Sequence, residues 1–262
     1  MSQTKSSPAS HKLVEVSHFK MAFGDHLVIK DLSFTVKRGE VFGLLGSNGS
    51  GKTTTIRTLL GLYQATGGSL LIDGRPFNPA YSPTIGYLPE ERGLYQKENV
   101  FDIMMYFARL KKVAQPETWI RDYLEKVNLT PFVKTRVNKL SQGMQQKVQL
   151  GITIMGQPKL LILDEPTKGF DPVNRQLLLA IIESLRAKGT AVILISHDMN
   201  EVQKLCDRIL LLKDGVAAAY GPLATVRKQF GGLSLDRIFV KVYGEDYASE
   251  ARASKEEFKD EF

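Results

Sequence analysis

Val41-Phe-Gly-Leu-Leu45, running directly into Gly46-Ser47-Asn48-Gly49-Ser50-Gly51-Lys52-Thr53-Thr54, decides how this chain folds. The unbroken apolar run predicts a strand buried on both faces, and the pattern G-x-x-x-x-G-K-[ST] after it predicts a loop that opens a helix near Lys52. In such a loop the glycines let successive backbone N–H groups turn inward. The helix N-terminus adds its partial positive charge, so the cradle suits phosphate. Lys52 then reaches the β and γ oxygens of a nucleoside triphosphate, and the Thr53 hydroxyl ligates Mg²⁺. With a strand before and a helix after, a bare glycine-rich turn is the weaker reading.

Leu160-Leu-Ile-Leu-Asp164-Glu165 supplies the complement. Four apolar residues bury a strand whose end delivers Asp164 toward the metal, and Glu165, one residue on, is set to polarise the water that attacks the γ-phosphate. Two acids at a strand end are by themselves only a turn; downstream of a phosphate loop the catalytic reading prevails. His197 ends the next apolar run, Ile193-Leu-Ile-Ser-His197, where a γ-phosphate contact outweighs the ordinary role of a turn residue. A guanine site would need N-K-x-D. The nearest text is Asn138-Lys-Leu-Ser141, with Ser where the aspartate must stand. The nucleotide is read as ATP and the reaction as its hydrolysis.

Outward from these motifs, Leu13–Val16 and Leu32–Val36 read as strands, and Asp73-Gly74 as a tight turn between two short strands. From about 99 to 156 the period becomes helical, with Phe101, Met104, Met105 and Ala108 on one face and Trp119, Tyr123 and Val127 on another; these stripes read as packing. Apolar strands return at 160–163, 191–195 and 209–212. Leu177, Leu178, Ile181, Ile182 and Leu185 mark a crossover helix, and Lys213-Asp214-Gly215 a hairpin. The expected fold class is α/β: a P-loop NTPase core, RecA-like, mostly parallel with helices on both faces. To it are added an N-terminal antiparallel β part and an inserted helical lobe at about 96–156. Residues 1–12 are expected to be disordered, 13–232 to form the ATPase domain, and 233–262 to be an acidic tail, a short helix or disordered, with a weak stripe at Tyr247, Ala251 and Phe258.

With 262 residues, 43% of them apolar, the chain can bury one substantial core. Its net charge of +7 is uneven: residues 92–147 hold eleven Lys and Arg against five Asp and Glu, and 233–262 five basic against eight acidic side chains. The basic stretch suits phosphates, nucleic acid, an anionic membrane surface or simply a solvated helical face. The single cysteine, Cys206, allows no internal disulfide and reads as core filler in a reducing compartment. The polar N-terminus is no secretory signal, and no apolar run approaches the ~18 residues of a membrane span. Any such span is expected from another polypeptide.

Leu140-Ser141-Gln142-Gly143-Met144-Gln145, placed ahead of the Asp164 strand, resembles the signature of the ATP-binding subunits of ABC transporters. The resemblance runs from about Leu13 to Gly221. It includes Phe23-Gly24 before the phosphate loop, Pro89-Glu90 at the family's Q-loop, the D-loop Phe170-Asp171-Pro172 and the switch His197. It implies that Phe23 stacks on adenine, that Ser141 and Gly143 contact a γ-phosphate held by a second ATPase subunit, and that Asp171 crosses that interface. Glu90 would join Thr53 and Asp164 around Mg²⁺.

Two departures stand out: Gln142 and Met144 replace a Gly and the Gln of the usual L-S-G-G-Q, and Glu90 replaces the common Gln. Both are most similar to the branch of drug, sodium and antibiotic exporters. The resemblance further implies a homodimer sandwiching two ATP molecules, a separate transmembrane permease subunit, a cytoplasmic location on the inner face of the membrane, and no nucleic-acid partner. The alternative is a regulatory ABC-type ATPase acting through a membrane partner without transport.

Overall fold

The computed structural model describes residues 12–90 and 93–244. In chain order come β1 (Lys12–Phe23), β2 (His26–Lys37), β3 (Val41–Leu45), α1 (Lys52–Leu59), β4 (Gly67–Ile72) and β5 (Ile85–Leu88). Helices α2 (Val100–Leu110), α3 (Pro116–Lys126) and α4 (Gln142–Ile154) follow, then β6 (Leu160–Asp164), α5 (Pro172–Ala187) and β7 (Ala191–Ile195). The chain continues through α6 (Met199–Leu205), β8 (Arg208–Lys213), β9 (Val216–Pro222) and α7 (Leu223–Gln229). A last helix, α8, spans 235–244. These elements form two compact units interleaved in sequence: the first holds 12–13, 36–41, 77–90 and 93–195, the second 14–35, 42–76 and 196–244.

In the first unit β5, β6 and β7 run parallel, with Leu88 opposite Leu163 and Asp164 opposite Ile195. Every residue of β6 and β7 is buried. That explains their unbroken apolar text, since a parallel strand covered on both faces has no solvent side to mark with polar residues. The helices expected at about 96–156 share this unit with the three strands. Gly86 shows how closely: a Cβ there would lie 2.5 Å from the backbone oxygen of Thr153 on α4. The crossover stripe on α5 buries Leu178, Ile182 and Leu185.

In the second unit the strand order is β4-β1-β2-β9-β8-β3. β3 pairs parallel with β8, β8 antiparallel with β9, and β1 antiparallel with β4. The hairpin read at Lys213-Asp214-Gly215 forms, with Asp214 at φ 49° and Gly215 at 76°. The strand pair read around Asp73-Gly74 does not. Ile72 and Arg75 make one isolated bridge across the turn, and Pro76, having no N–H to donate, follows it. β4 finds its partner in β1 instead. Cys206 is buried.

The boundary expected at 232 is followed directly by α8, whose Leu235, Ile238 and Tyr243 are each 0% exposed. The expected disordered segment, apart from Lys12, and the stripe at Tyr247, Ala251 and Phe258 lie outside the described residues.

Gly86→Ala is expected to lower unfolding stability by about 1–3 kcal/mol, because the contact is with backbone and cannot swing aside. Urea unfolding of the purified variant checks this; an unchanged midpoint would show that α4 can move off β5.

Candidate functional site

The phosphate loop lies in the second unit, between β3 and α1. Gly49 and Gly51 have φ of 72° and 103°, in the left-handed region that side-chain-bearing residues avoid. Space is equally restrictive. A Cβ on Gly51 would meet Ile29 Cδ1 at 2.4 Å, and one on Gly46 would meet Ser50 Oγ at 2.3 Å and the Leu212 oxygen at 2.7 Å. Lys52 Nζ donates to the carbonyls of Gly46 at 2.9 Å and Ser47 at 2.7 Å, so its ammonium lies across the loop. Ser47 is buried, Asn48 and Gly49 form the exposed tip, Thr53 is exposed and Thr54 half-buried.

Ser50 Oγ is buried with no hydrogen-bond partner among the described residues. Such a group costs about 1–3 kcal/mol unless satisfied. A loop of this shape, with an ammonium over it and a hydroxyl unsatisfied inside it, fits a polyphosphate.

The same unit carries Phe23 and His197. Phe23 is 46% exposed and stands edge-on to Tyr63, ring centres 5.3 Å apart. An exposed flat ring of this kind suits stacking on a base. His197 is exposed on a tightly bonded turn. The Asp198 N–H donates to Ser196 Oγ at 3.1 Å, and the Asp198 carboxylate caps α6 by accepting from Asn200 N–H at 2.9 Å and Glu201 N–H at 3.3 Å.

The first unit carries the acids. Asp164 closes β6 and is 9% exposed. Glu165 adopts φ 48°, a left-handed conformation that costs a non-glycine residue about 1–3 kcal/mol, and its N–H donates to Ile195 O at 2.9 Å. The turn breaks the two-residue alternation of the strand, which would otherwise send the two carboxylates to opposite faces. Asp164, Glu165, Pro89 and Gln146 help line a cavity of about 10 Å³, roughly the room of one water molecule.

Two residues here escaped the sequence reading. Lys168 Nζ donates to Glu90 Oε1 at 2.8 Å, and Gln146 Nε2 donates to Lys168 O at 2.8 Å. The Q-loop carboxylate, the turn after Glu165 and helix α4 are thereby tied together. A lysine in Asp164-Glu-Pro-Thr-Lys168 is visible in the text, but its partner lies 78 residues away and no periodicity points to it.

Ser141 and Asp171 each cap a helix. Ser141 Oγ accepts from Met144 N–H at 3.3 Å at the start of α4, and Asp171 from Asn174 N–H at 2.8 Å at the start of α5. A cap of this type is worth about 1 kcal/mol. Around Gly143 a Cβ would meet nothing within 4 Å. Among the described residues no three His, Cys, Asp or Glu side chains gather as a metal cage. Mg²⁺ binds oxygen ligands, usually one or two carboxylates together with substrate phosphates and water, and the Thr53 hydroxyl and the Asp164 and Glu90 carboxylates are each donors of that chemistry.

Residues 29–168 match the family model of the ABC transporter domain. The chain is 41% identical over 221 residues to the uncharacterized ABC transporter ATP-binding protein YhaQ of Bacillus subtilis (strain 168), covering 84% of this chain and 74% of that one. It is 36% identical over 224 residues to the Nod factor export ATP-binding protein I of Rhizobium sp. (strain N33), covering 83% and 74%. A solved ATP-binding subunit of an ABC transporter superposes with a TM-score of 0.83 at 30% identity, covering 88% of this chain and 99% of that one. The mixed α/β arrangement of strands and helices is the fold of such ATPase subunits.

Gly51→Ala is expected to lose about 1–3 kcal/mol of stability and to weaken nucleotide binding, since both φ and Ile29 oppose the new methyl. Asn48→Ala, at the exposed tip, should leave stability within ~0.5 kcal/mol. Denaturation curves beside a titration with a fluorescent ATP analogue check both.

Proposed function

This chain belongs to the ABC transporter family of ATP-binding proteins, and we propose that it is the ATPase subunit of an exporter, coupled to a separate membrane permease. It is an ATPase by membership of that family; the direction of transport and the partners are the proposal. The observation that carries it is the division of labour within one chain: a phosphate loop shaped for a nucleotide and, on α4, a Ser141-x-Gly143 terminus with open space at Gly143. A γ-phosphate held by a second copy fits that terminus, where backbone N–H groups and the helix dipole favour an anion. Two copies then close around two ATP molecules and open once hydrolysis removes the γ-phosphate.

Within each site Phe23 holds the base, and the amides of Gly46 to Thr54 with Lys52 hold the phosphates. Thr53, Asp164 and Glu90 hold Mg²⁺, which when bound neutralises charge on the phosphate oxygens. Glu165 takes a proton from the attacking water, and His197 and Asp171 complete the closed arrangement.

Export is supported by the kinship with a protein named for Nod factor export. No helix among the described residues is long and apolar enough to cross a membrane. A groove of about 350 Å³ in the first unit, lined by Tyr95, Glu98, Asp102, Ile103 and Tyr106, is the surface we assign to the permease. Tyr95 and Tyr106 are 61% and 51% exposed, and the two acids beside them suit a cytoplasmic helix bringing an apolar side chain and a Lys or Arg.

Glu165→Gln should retain ATP binding, lose ~10²–10⁴-fold in turnover and accumulate as an ATP-bound dimer on gel filtration. Gly143→Ala should fold at least as well as the natural chain, since helix propensity favours Ala by ~1 kcal/mol, yet fail to form that dimer when combined with Glu165→Gln. A Gly143→Ala dimer of full strength would sink the two-copy site. Tyr106→Ala is expected to leave the basal ATPase rate unchanged and to abolish its stimulation by the reconstituted permease.

A further inference from the structure

We infer that the first unit holds a resident water molecule on Gln146 Oε1, beside Asp164 and Glu165, and that Gln146 is a positioning residue for the turn that carries Glu165. The second half rests on the reading of Glu165 as the residue that takes a proton from the attacking water. Gln146, Gln149 and Thr153 share one face of α4 by their spacing, and all three are buried. Polar groups are tolerated in such a place where they are bonded. Thr153 meets that condition by donating its hydroxyl to Gln149 O at 2.9 Å. Gln146, 4% exposed, meets half of it. Its Nε2 donates to Lys168 O at 2.8 Å, whereas its Oε1 is buried with no hydrogen-bond partner among the described residues.

Turning the amide over does not relieve this. Oε1 would then face the Lys168 carbonyl, acceptor against acceptor, and the one bond would be lost. The orientation is therefore fixed, and Oε1 needs a donor, at a cost of about 1–3 kcal/mol if none comes. Gln146 also lines the cavity of about 10 Å³ in this unit, the room of one water molecule. Gln149, Asp164 and Glu165 share the lining, so a water there finds the ~2–4 polar partners that buried waters keep. One of its O–H groups donates to Gln146 Oε1 and the other serves an acceptor among these neighbours. The opposite end of the same amide holds the turn. Lys168 N–H donates to Glu165 O at 3.2 Å, so the bond from Gln146 to Lys168 O secures the turn at whose head Glu165 adopts φ 48°. Gln146 acts on Glu165 through Lys168 and not on substrate, which makes it a positioning residue.

The test begins with a crystal structure of the full-length chain without nucleotide, at a resolution that shows ordered water. A peak in the cavity at about 2.7–3.2 Å from Gln146 Oε1 is expected. A dry cavity, a protein donor on Oε1, or a peak at about 2.0–2.1 Å, the distance of Mg²⁺, overturns the water site. ATPase kinetics test the positioning. Gln146→Met keeps the length of the side chain without its amide, and should lower kcat about three- to tenfold, the worth of one hydrogen bond, with KM for ATP within about twofold. Gln146→Leu gives the same comparison should the methionine variant fail to fold. In a Glu165→Gln background the substitution should add no further loss. An unchanged kcat, or an equal further loss in that background, overturns the positioning role while leaving Glu165 as the base. Near-normal turnover of Glu165→Gln alone overturns the reading of Glu165 and the positioning role with it, and the water site then stands or falls on the crystal structure.

Discussion

The backbone of residues 46–53 has to turn its amides inward within a space that admits no side-chain carbon at two of its glycines. Ser50 Oγ and the Leu212 carbonyl close the space beside Gly46; Ile29 closes it beside Gly51, where φ of 103° already disfavours any other residue. This restriction makes the loop a rigid concavity, and rigidity lets dipoles serve a charged ligand without reorganising. The neighbouring elements follow from it. β3 and its parallel partner β8 fix one wall, β2 contributes Ile29, and α1 begins where the loop ends.

The acids obey a different constraint. β6 is buried along its whole length, so it places a carboxylate where water is scarce only at its last residue, Asp164. The chain then has to turn at once to bring Glu165 beside it, and the left-handed φ there is the local cost of that turn. The backbone bond from Glu165 N–H to Ile195 O, and the side-chain bond from Gln146 Nε2 to Lys168 O, hold the strained segment in place. The Lys168–Glu90 pair, half-exposed on both sides, contributes at most about 1 kcal/mol to stability. Its consequence is electrostatic: a third carboxylate near Asp164 and Glu165 carries its own counter-charge.

Ser141 and Asp171 each have a local purpose in the structure. Each caps its own helix within a single chain, which fixes the helix N-terminus and the residues around it. The proposed role across a subunit interface does not compete with that local function, since the Ser141 hydroxyl still has its O–H to donate to a phosphate and the Asp171 carboxylate keeps lone pairs for another donor.

The sequence by itself determined the α/β class and the family, because apolar runs, helical periods and a glycine pattern between strand and helix are legible locally, and the ordered motifs from Phe23 to His197 add to one another. The hairpin at Asp214-Gly215 belongs to the same class. Only the tertiary structure decided what depends on distant partners: that β4 pairs with β1 and not across Asp73-Gly74, that Gly86 must be small because α4 presses on it, and that Lys168 reaches Glu90. α8 lies between these cases. Leu235, Ile238, Phe239, Val242 and Tyr243 repeat at helical spacing, a choice that the expectation of a short helix or disorder after 232 leaves open, and of the eight acids in 233–262 only Asp236 falls within 235–244. Local pattern reveals an element; its partner is a contact between residues far apart in the chain, and no window of sequence contains both.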